Sequence, residues 1–133
     1  MEHMGISDFA STPMAMLSGG MRQNVYLAMA LAQETDYILL DEPTTYLDIK
    51  NRFQIMDILR TLANNGKGIV AVLHDLELAL QYADELAVMQ NGMIVAKDTP
   101  EAICRSKILD LTFQISLQQI QTESGNAHYV ICR

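Results

Sequence analysis

The stretch Tyr37-Ile38-Leu39-Leu40-Asp41-Glu42-Pro43 constrains the fold of this chain more than any other. Three apolar residues behind a tyrosine predict a short strand buried on both faces, the pattern of a parallel sheet. Pro43 stops that strand, because proline has no N–H to give to a ladder. Asp41 and Glu42 are then expected at the carboxyl end of a core strand, where open α/β sheets bind their ligands. Neighbouring strand residues face opposite ways, so the two acids are expected to do different work, one holding a metal and the other handling a water. The residues alone leave an equal alternative, two solvated acids opening a loop.

A second β-branched run at residues 69–73 predicts another strand buried on both faces, ending in His74-Asp75. Between the two runs, residues 44–47 predict a loop and Asp48 a helix N-cap. Ile49, Phe53, Met56 and Leu59 then recur at helical spacing, with Ile55, Ile58 and Leu62 beside them, as far as the C-cap signal Asn64-Asn65-Gly66. A third helix is expected from residue 76 to about residue 83, turning Leu76, Ala79, Leu80 and Ala83 inward. Strand, helix, strand, helix with short joints is the sign of a parallel, right-handed α/β sheet. His74 is thus expected on the same sheet edge as Asp41 and Glu42. Downstream, Gln90-Asn91-Gly92 predicts the turn of a hairpin joining 86–89 to 93–96. Pro100 opens a short helix, residues 108–111 another, and residues 115–120 with 129–131 a terminal hairpin around Gly125-Asn126.

Upstream, Leu17-Ser18-Gly19-Gly20 opens an apolar, helix-favouring run to about residue 33. Ser18 suits the N-cap, where its oxygen satisfies an orphan amide. Glycines behind it leave backbone N–H groups accessible, and the helix dipole adds positive potential, so such an end can take an anion. An ordinary capped helix reads the same way. Residues 1–16, interrupted by Gly5 and Pro13, read as the tail of some element rather than the start of a domain.

The bulk properties narrow the function classes. A chain of 133 residues, half of them hydrophobic, can bury one real core. Net charge is −7 and the nine basic residues are scattered, which argues against nucleic acid, since phosphate tracking needs a basic stripe. The apolar runs are far short of a membrane span. Met1-Glu2-His3-Met4-Gly5 lacks the basic and apolar regions of a signal peptide. Cys104 and Cys132 make no disulfide framework or zinc spacing, so a reducing cytoplasm is expected, and the nine methionines are expected to fill core gaps.

Taken together, the motifs resemble those of ABC-type ATPases. Leu17-Ser18-Gly19-Gly20-Met21-Arg22-Gln23 resembles their signature motif, and Ile38-Leu39-Leu40-Asp41-Glu42-Pro43 the Walker B strand with its catalytic glutamate. Tyr46-Leu47-Asp48 resembles the D-loop, and His74 stands where the family keeps its switch histidine. The wording of residues 41–49 is most similar to ATPases of iron-siderophore, haem and cobalamin importers. The resemblance implies that Asp41 holds magnesium through water and that Glu42 positions or deprotonates the attacking water. It implies that His74 contacts the γ-phosphate and that water, stabilising charge as the bond breaks. Ser18, Gly19, Gly20 and Met21 would face the γ-phosphate of ATP on an opposing subunit, and Asp48 would carry information across the same dimer interface. Two departures, Met21 where the signature is usually polar and Asn24 where a basic residue is frequent, bear on phosphate binding in trans.

One motif is absent from the sequence. A phosphate-cradling loop needs Gly, four residues, Gly, Lys and then Ser or Thr. The only Gly-Lys pair is Gly66-Lys67, with Thr61 at the required upstream glycine and Gly68 after the lysine. The expected fold is therefore the parallel-sheet part of a P-loop NTPase core of ABC type, with part of the helical subdomain and a small C-terminal β-hairpin. The expected divisions are 1–33 for the signature-motif part of the helical subdomain, 34–112 for the C-terminal part of the ATPase core, and 113–133 for an extension. The resemblance implies the carboxyl part of an ATPase that couples ATP hydrolysis to import of a metal chelate, inactive alone, with ATP and magnesium bound only in a complete dimeric site. Its partners would be a second nucleotide-binding subunit and transmembrane permease subunits, at the inner face of the cell membrane. Self-association is also expected, because the strand at 69–73 would show an unpaired apolar edge. A non-catalytic module docking on an intact ATPase or membrane subunit, or a gene fragment, stands as the alternative.

Overall fold

A computed structural model describes residues 11–121 and 127–132, and the chain divides into two compact units, Met1–His74 and Asp75–Arg133. In the first unit a 3-10 turn, Met14–Met16, leads to α1, Gly19–Leu31. Strand β1, Tyr37–Asp41, helix α2, Ile49–Asn64, and strand β2, Gly68–Val72, follow as one crossover unit. The two strands pair in parallel, Ile38 opposite Ile69 and Asp41 opposite Val72, as the sequence pattern requires.

Local chemistry sets the boundaries. Ser18 caps α1 by accepting the Met21 N–H at 3.3 Å, and Asp48 caps α2 by accepting the Asn51 N–H at 2.9 Å. The end of α2 is a Schellman motif. Gly66 takes φ +91°, its N–H reaches the Ala63 carbonyl at 2.9 Å, and the Lys67 N–H reaches the Leu62 carbonyl at 3.1 Å. Across the sheet, Gly68 faces Tyr37, and a Cβ at Gly68 would run into the tyrosine ring.

The expectation that both strands are buried on both faces is corrected. Ile38 is buried, but Leu39 is 77% exposed and Val70 55%, with Tyr37 and Val72 open beside them. Helix α2 packs against β2, and these four residues lie on one face because parallel partners share a side. An apolar run shows what could be buried, not whether a second layer exists to cover it. The α2 stripe is corrected too: Ile55, Met56 and Leu59 are buried, whereas Ile49 and Phe53 are exposed. Its first inward turn carries Asn51 and Arg52, both half-buried, whose bonds to Asp48 and to the Leu47 carbonyl set the helix's orientation. Nor do the methionines fill the core as a class; Met56 is buried, but Met16, Met29, Met89 and Met93 are exposed.

The second unit opens with α3, Leu76–Tyr82, capped by Asp75 through the Leu78 N–H at 3.2 Å. Its buried residues are Leu78, Ala79 and Leu80; Leu76 and Ala83 are only half-buried. Strands β3, Leu86–Gln90, and β4, Met93–Asp98, form the expected antiparallel hairpin. Asn91 and Gly92 take φ +51° and +76°, the left-handed pair of a type I′ turn. Helices α4, Pro100–Ser106, and α5, Ile108–Phe113, and the antiparallel strands β5, Ser116–Gln121, and β6, Ala127–Cys132, complete it. The expected turn at Gly125-Asn126 lies outside the described residues. Leu80, Val88, Ile103 and Leu109 make this unit's core, with Leu117 and Tyr129 packed against it.

Candidate functional site

All eight candidate residues lie in the first unit, where they fall into two groups joined by the loop at residues 43–47. The first group sits at the carboxyl ends of β1 and β2. Its centre is Glu42, whose N–H still reaches the Val72 carbonyl at 3.0 Å although its φ is +48°. A glutamate before proline normally takes extended backbone, and a left-handed non-glycine residue is costly. That conformation, rather than simple strand alternation, decides where the Glu42 carboxylate goes, since β1 ends at Asp41.

Both oxygens of this carboxylate are held. Oε1 lies 2.6 Å from His74 Nε2, and Oε2 accepts the Thr45 hydroxyl at 2.9 Å. The Thr45 bond first, and then the His74 bond, hold the Glu42 pKa below the usual glutamate value. Glu42 is therefore an ionised acceptor, oriented from two sides, beside an imidazole whose side chain is 76% exposed. Such a carboxylate can accept a proton from a bound water. Sequence reasoning missed Thr45, although its i, i+3 spacing from Glu42 inside a turn was a usable signal.

Asp41 is exposed at the end of β1. Among the described residues no cluster of three or more His, Cys, Asp or Glu side chains could hold a metal. A lone strand-end carboxylate does not make a cage. It does fit magnesium, which keeps much of its water and takes one or two carboxylates together with substrate phosphates.

The second group is the first turn of α1 against the start of α2. The Ser18 hydroxyl is engaged with the Met21 N–H, and Met21 itself is half-buried. A Cβ on Gly19 would rest 3.7 Å from the Tyr46 carbonyl oxygen and from Leu47 Cδ2. At Gly20 a Cβ would come within 2.8 Å of Asn51 Cγ, so this position admits no side chain unless Asn51 shifts. Asp48 accepts from the Asn51 N–H at 2.9 Å and from its Nδ2 at 2.7 Å, and the backbone bond from Asn51 is the main cause of its lowered pKa. Tyr46, one residue before Leu47, is 97% exposed with φ +63°. The cap spacing Asp48-x-x-Asn51 is a capping-box interval that could have flagged Asn51 in advance.

The second unit holds a cleft of about 120 Å³ lined by Glu101, Cys104, Arg105, Leu117, Gln119 and Tyr129. Burial pushes the Cys104 thiol pKa up, which keeps it protonated and weakly nucleophilic.

Comparison with known proteins agrees with this geometry. Residues 1–45 match the ABC transporter family. Over 115 residues the chain is 44% identical to the petrobactin import ATP-binding protein FpuD of Bacillus anthracis, covering 86% of this chain and 42% of that protein. A metal-chelate-type ABC transporter solved in an inward-facing conformation superposes with a TM-score of 0.86 at 26% identity, over 99% of this chain and 54% of its own. An ATP-binding cassette solved as a dimer in a post-hydrolysis state with ADP and Pi gives 0.64 at 32% identity, over 74% of this chain and 44% of its own. The chain spans about two fifths of the length of the curated relative. No helix among the described residues is long and apolar enough to cross a membrane.

Proposed function

This chain is related by sequence and by fold to one part of the ABC transporter ATP-binding proteins, and on that premise we propose that it supplies the signature-helix and hydrolytic elements of a composite ATP site. The observation that carries this reading is the Glu42–His74 contact at the carboxyl ends of two parallel strands. Glu42, held ionised by Thr45 and His74, orients the attacking water and takes its proton at a carboxylate oxygen. His74 keeps Glu42 in place and stabilises charge developing on the transferred phosphoryl group. Asp41 would hold magnesium, which when bound would neutralise phosphate charge. Ser18, Gly19, Gly20 and Met21 present the first turn of α1 to the γ-phosphate of ATP on an opposing nucleotide-binding subunit, and Asp48 faces the same junction.

In the assembled protein this site drives import of a metal chelate such as an iron-siderophore, working under transmembrane permease subunits at the cytoplasmic face. The names of the petrobactin importer and of the metal-chelate transporter support that cargo class, and the cassette dimer supports the paired arrangement. Without a Gly-x4-Gly-Lys-Ser/Thr loop in its 133 residues, this chain does not turn over ATP by itself. The same absence favours a second reading, a non-catalytic module that docks on an intact ATPase.

The test mixes the purified chain with a polypeptide carrying a phosphate-binding loop and measures magnesium-dependent ATP turnover. Turnover in the mixture, but not with either part alone, supports the composite site. Turnover by this chain alone overturns its inactivity. Capture of an intact ATP-binding subunit with no turnover in any mixture favours the docking module.

A further inference from the structure

The Asn51 side chain touches both halves of the α1–α2 junction. Its backbone N–H and Nδ2 both donate to the Asp48 carboxylate, at 2.9 and 2.7 Å. Because a carboxylate only accepts, the amide orientation follows, with Nδ2 toward Asp48. The same amide group sits against Gly20, where a Cβ would meet Cγ at 2.8 Å, Oδ1 at 2.9 Å and Nδ2 at 3.0 Å. Gly20 is buried, and Gly19 lies beside Tyr46 and Leu47. The Leu47 carbonyl is in turn held by Arg52 Nε at 2.9 Å. A planar amide therefore fills a slot that only glycine leaves open, and its two hydrogen bonds fix the residue beside that slot.

We infer that Asn51 is a positioning residue that ties the first turn of α1 to Asp48, so that the Ser18-Gly19-Gly20 helix end and the aspartate move as one body. For its consequence in ATP turnover this rests on the composite-site reading; the mechanical link does not. In that reading both tied groups act across one nucleotide junction, and a small misplacement of positioning groups is costly to the chemical step. Gly20 is then a glycine because a side chain there would collide with Asn51.

The link is tested on the full chain by amide resonances. Asp48→Asn keeps a capping oxygen for the Asn51 N–H but sets an NH2 donor opposite Nδ2, so the Asn51 amide must turn over against Gly20 or lose its bond. It should shift the Gly19 and Gly20 resonances in the native background and leave them in place when Asn51 is already alanine. Equal shifts in both backgrounds, or none in either, overturn the link. If Asn51→Ala does not fold, thermal unfolding decides: Gly20→Ala should lower the melting temperature with Asn51 present and lower it less in an Asn51→Ser background. An equal loss in both overturns the contact. In a reconstituted ATPase, Asn51→Ala should lower kcat about tenfold with KM for ATP little changed. Asn51→Asp, which fills the same space but repels Asp48, should lose as much; full activity of Asn51→Asp would reduce the role to packing and overturn positioning. Failure of the native assembly to hydrolyse ATP counts against the composite site, whereas the resonance experiment decides Asn51 on this chain alone.

Discussion

The imidazole of His74 and the carboxylate of Glu42 meet at 2.6 Å although 32 positions separate them in the chain. The contact exists because β1 and β2 run in parallel, with Asp41 opposite Val72, so both chains leave the sheet at the same edge. Thr45 completes the arrangement from the turn after Pro43.

Thr45 is therefore expected to matter through one hydrogen bond. Thr45→Val keeps the shape and removes the donor, freeing Glu42 Oε2. In a reconstituted ATPase it should lower kcat about tenfold, the worth of one hydrogen bond to a charged group, and Thr45→Ser should restore it. Steady-state kinetics of the three forms checks this, and equal rates would remove Thr45 from the site.

Asp48 gives the chain a pH dependence of known sign. Its folded pKa is depressed, chiefly by the Asn51 N–H. The cap therefore stabilises the fold fully above the ordinary aspartate value of about 3.9, and this contribution is lost as pH falls through the lower folded value. Melting temperatures from about pH 6 down to about pH 2.5 should fall more for the native chain than for Asp48→Asn, which caps without ionising.

Gly66 should be costly to replace for a backbone reason alone. Among the described residues other than its chain neighbours, nothing lies within 4 Å of where its Cβ would stand, but its φ is +91°. Gly66→Ala should lower stability by about 1–2 kcal/mol, the left-handed penalty for an L-residue, and Gly66→Asn by less. Chemical denaturation measures both.

The two faces of the β1–β2 sheet should respond oppositely. Ile38 is buried, and Ile38→Ala should cost about 2–5 kcal/mol. Leu39 and Val70 are exposed, so Leu39→Thr with Val70→Thr should leave stability nearly unchanged. The pair should also reduce the self-association that open apolar sheet and unpaired strand edges invite. Sedimentation at several concentrations reads that second effect, and unchanged association would place the contact elsewhere.

Much of this architecture was legible in the residues because it is locally encoded. Ser18, Asp48, Asn65-Gly66 and Asn91-Gly92 each mark a boundary through one hydrogen bond or one left-handed backbone, and each stands where its chemistry required. The parallel pairing followed from alternation of element types. What could not be read was nonlocal. Leu39 and Val70 look like core residues whether or not a second layer covers them. Ile49 looks like part of the α2 stripe until Asn51 and Arg52 are seen to claim the inward first turn. The left-handed Glu42 carries no periodicity at all, whereas Thr45 was signalled only by its i, i+3 spacing from Glu42 inside the turn at Pro43.

The most direct measurement is ATP turnover, with magnesium, by this chain complemented with a phosphate-loop polypeptide, comparing the native residue with Glu42→Gln. The composite site predicts turnover with glutamate and a fall of at least about a hundredfold in kcat with glutamine, the scale of a lost general base. Turnover that survives Glu42→Gln would contradict it.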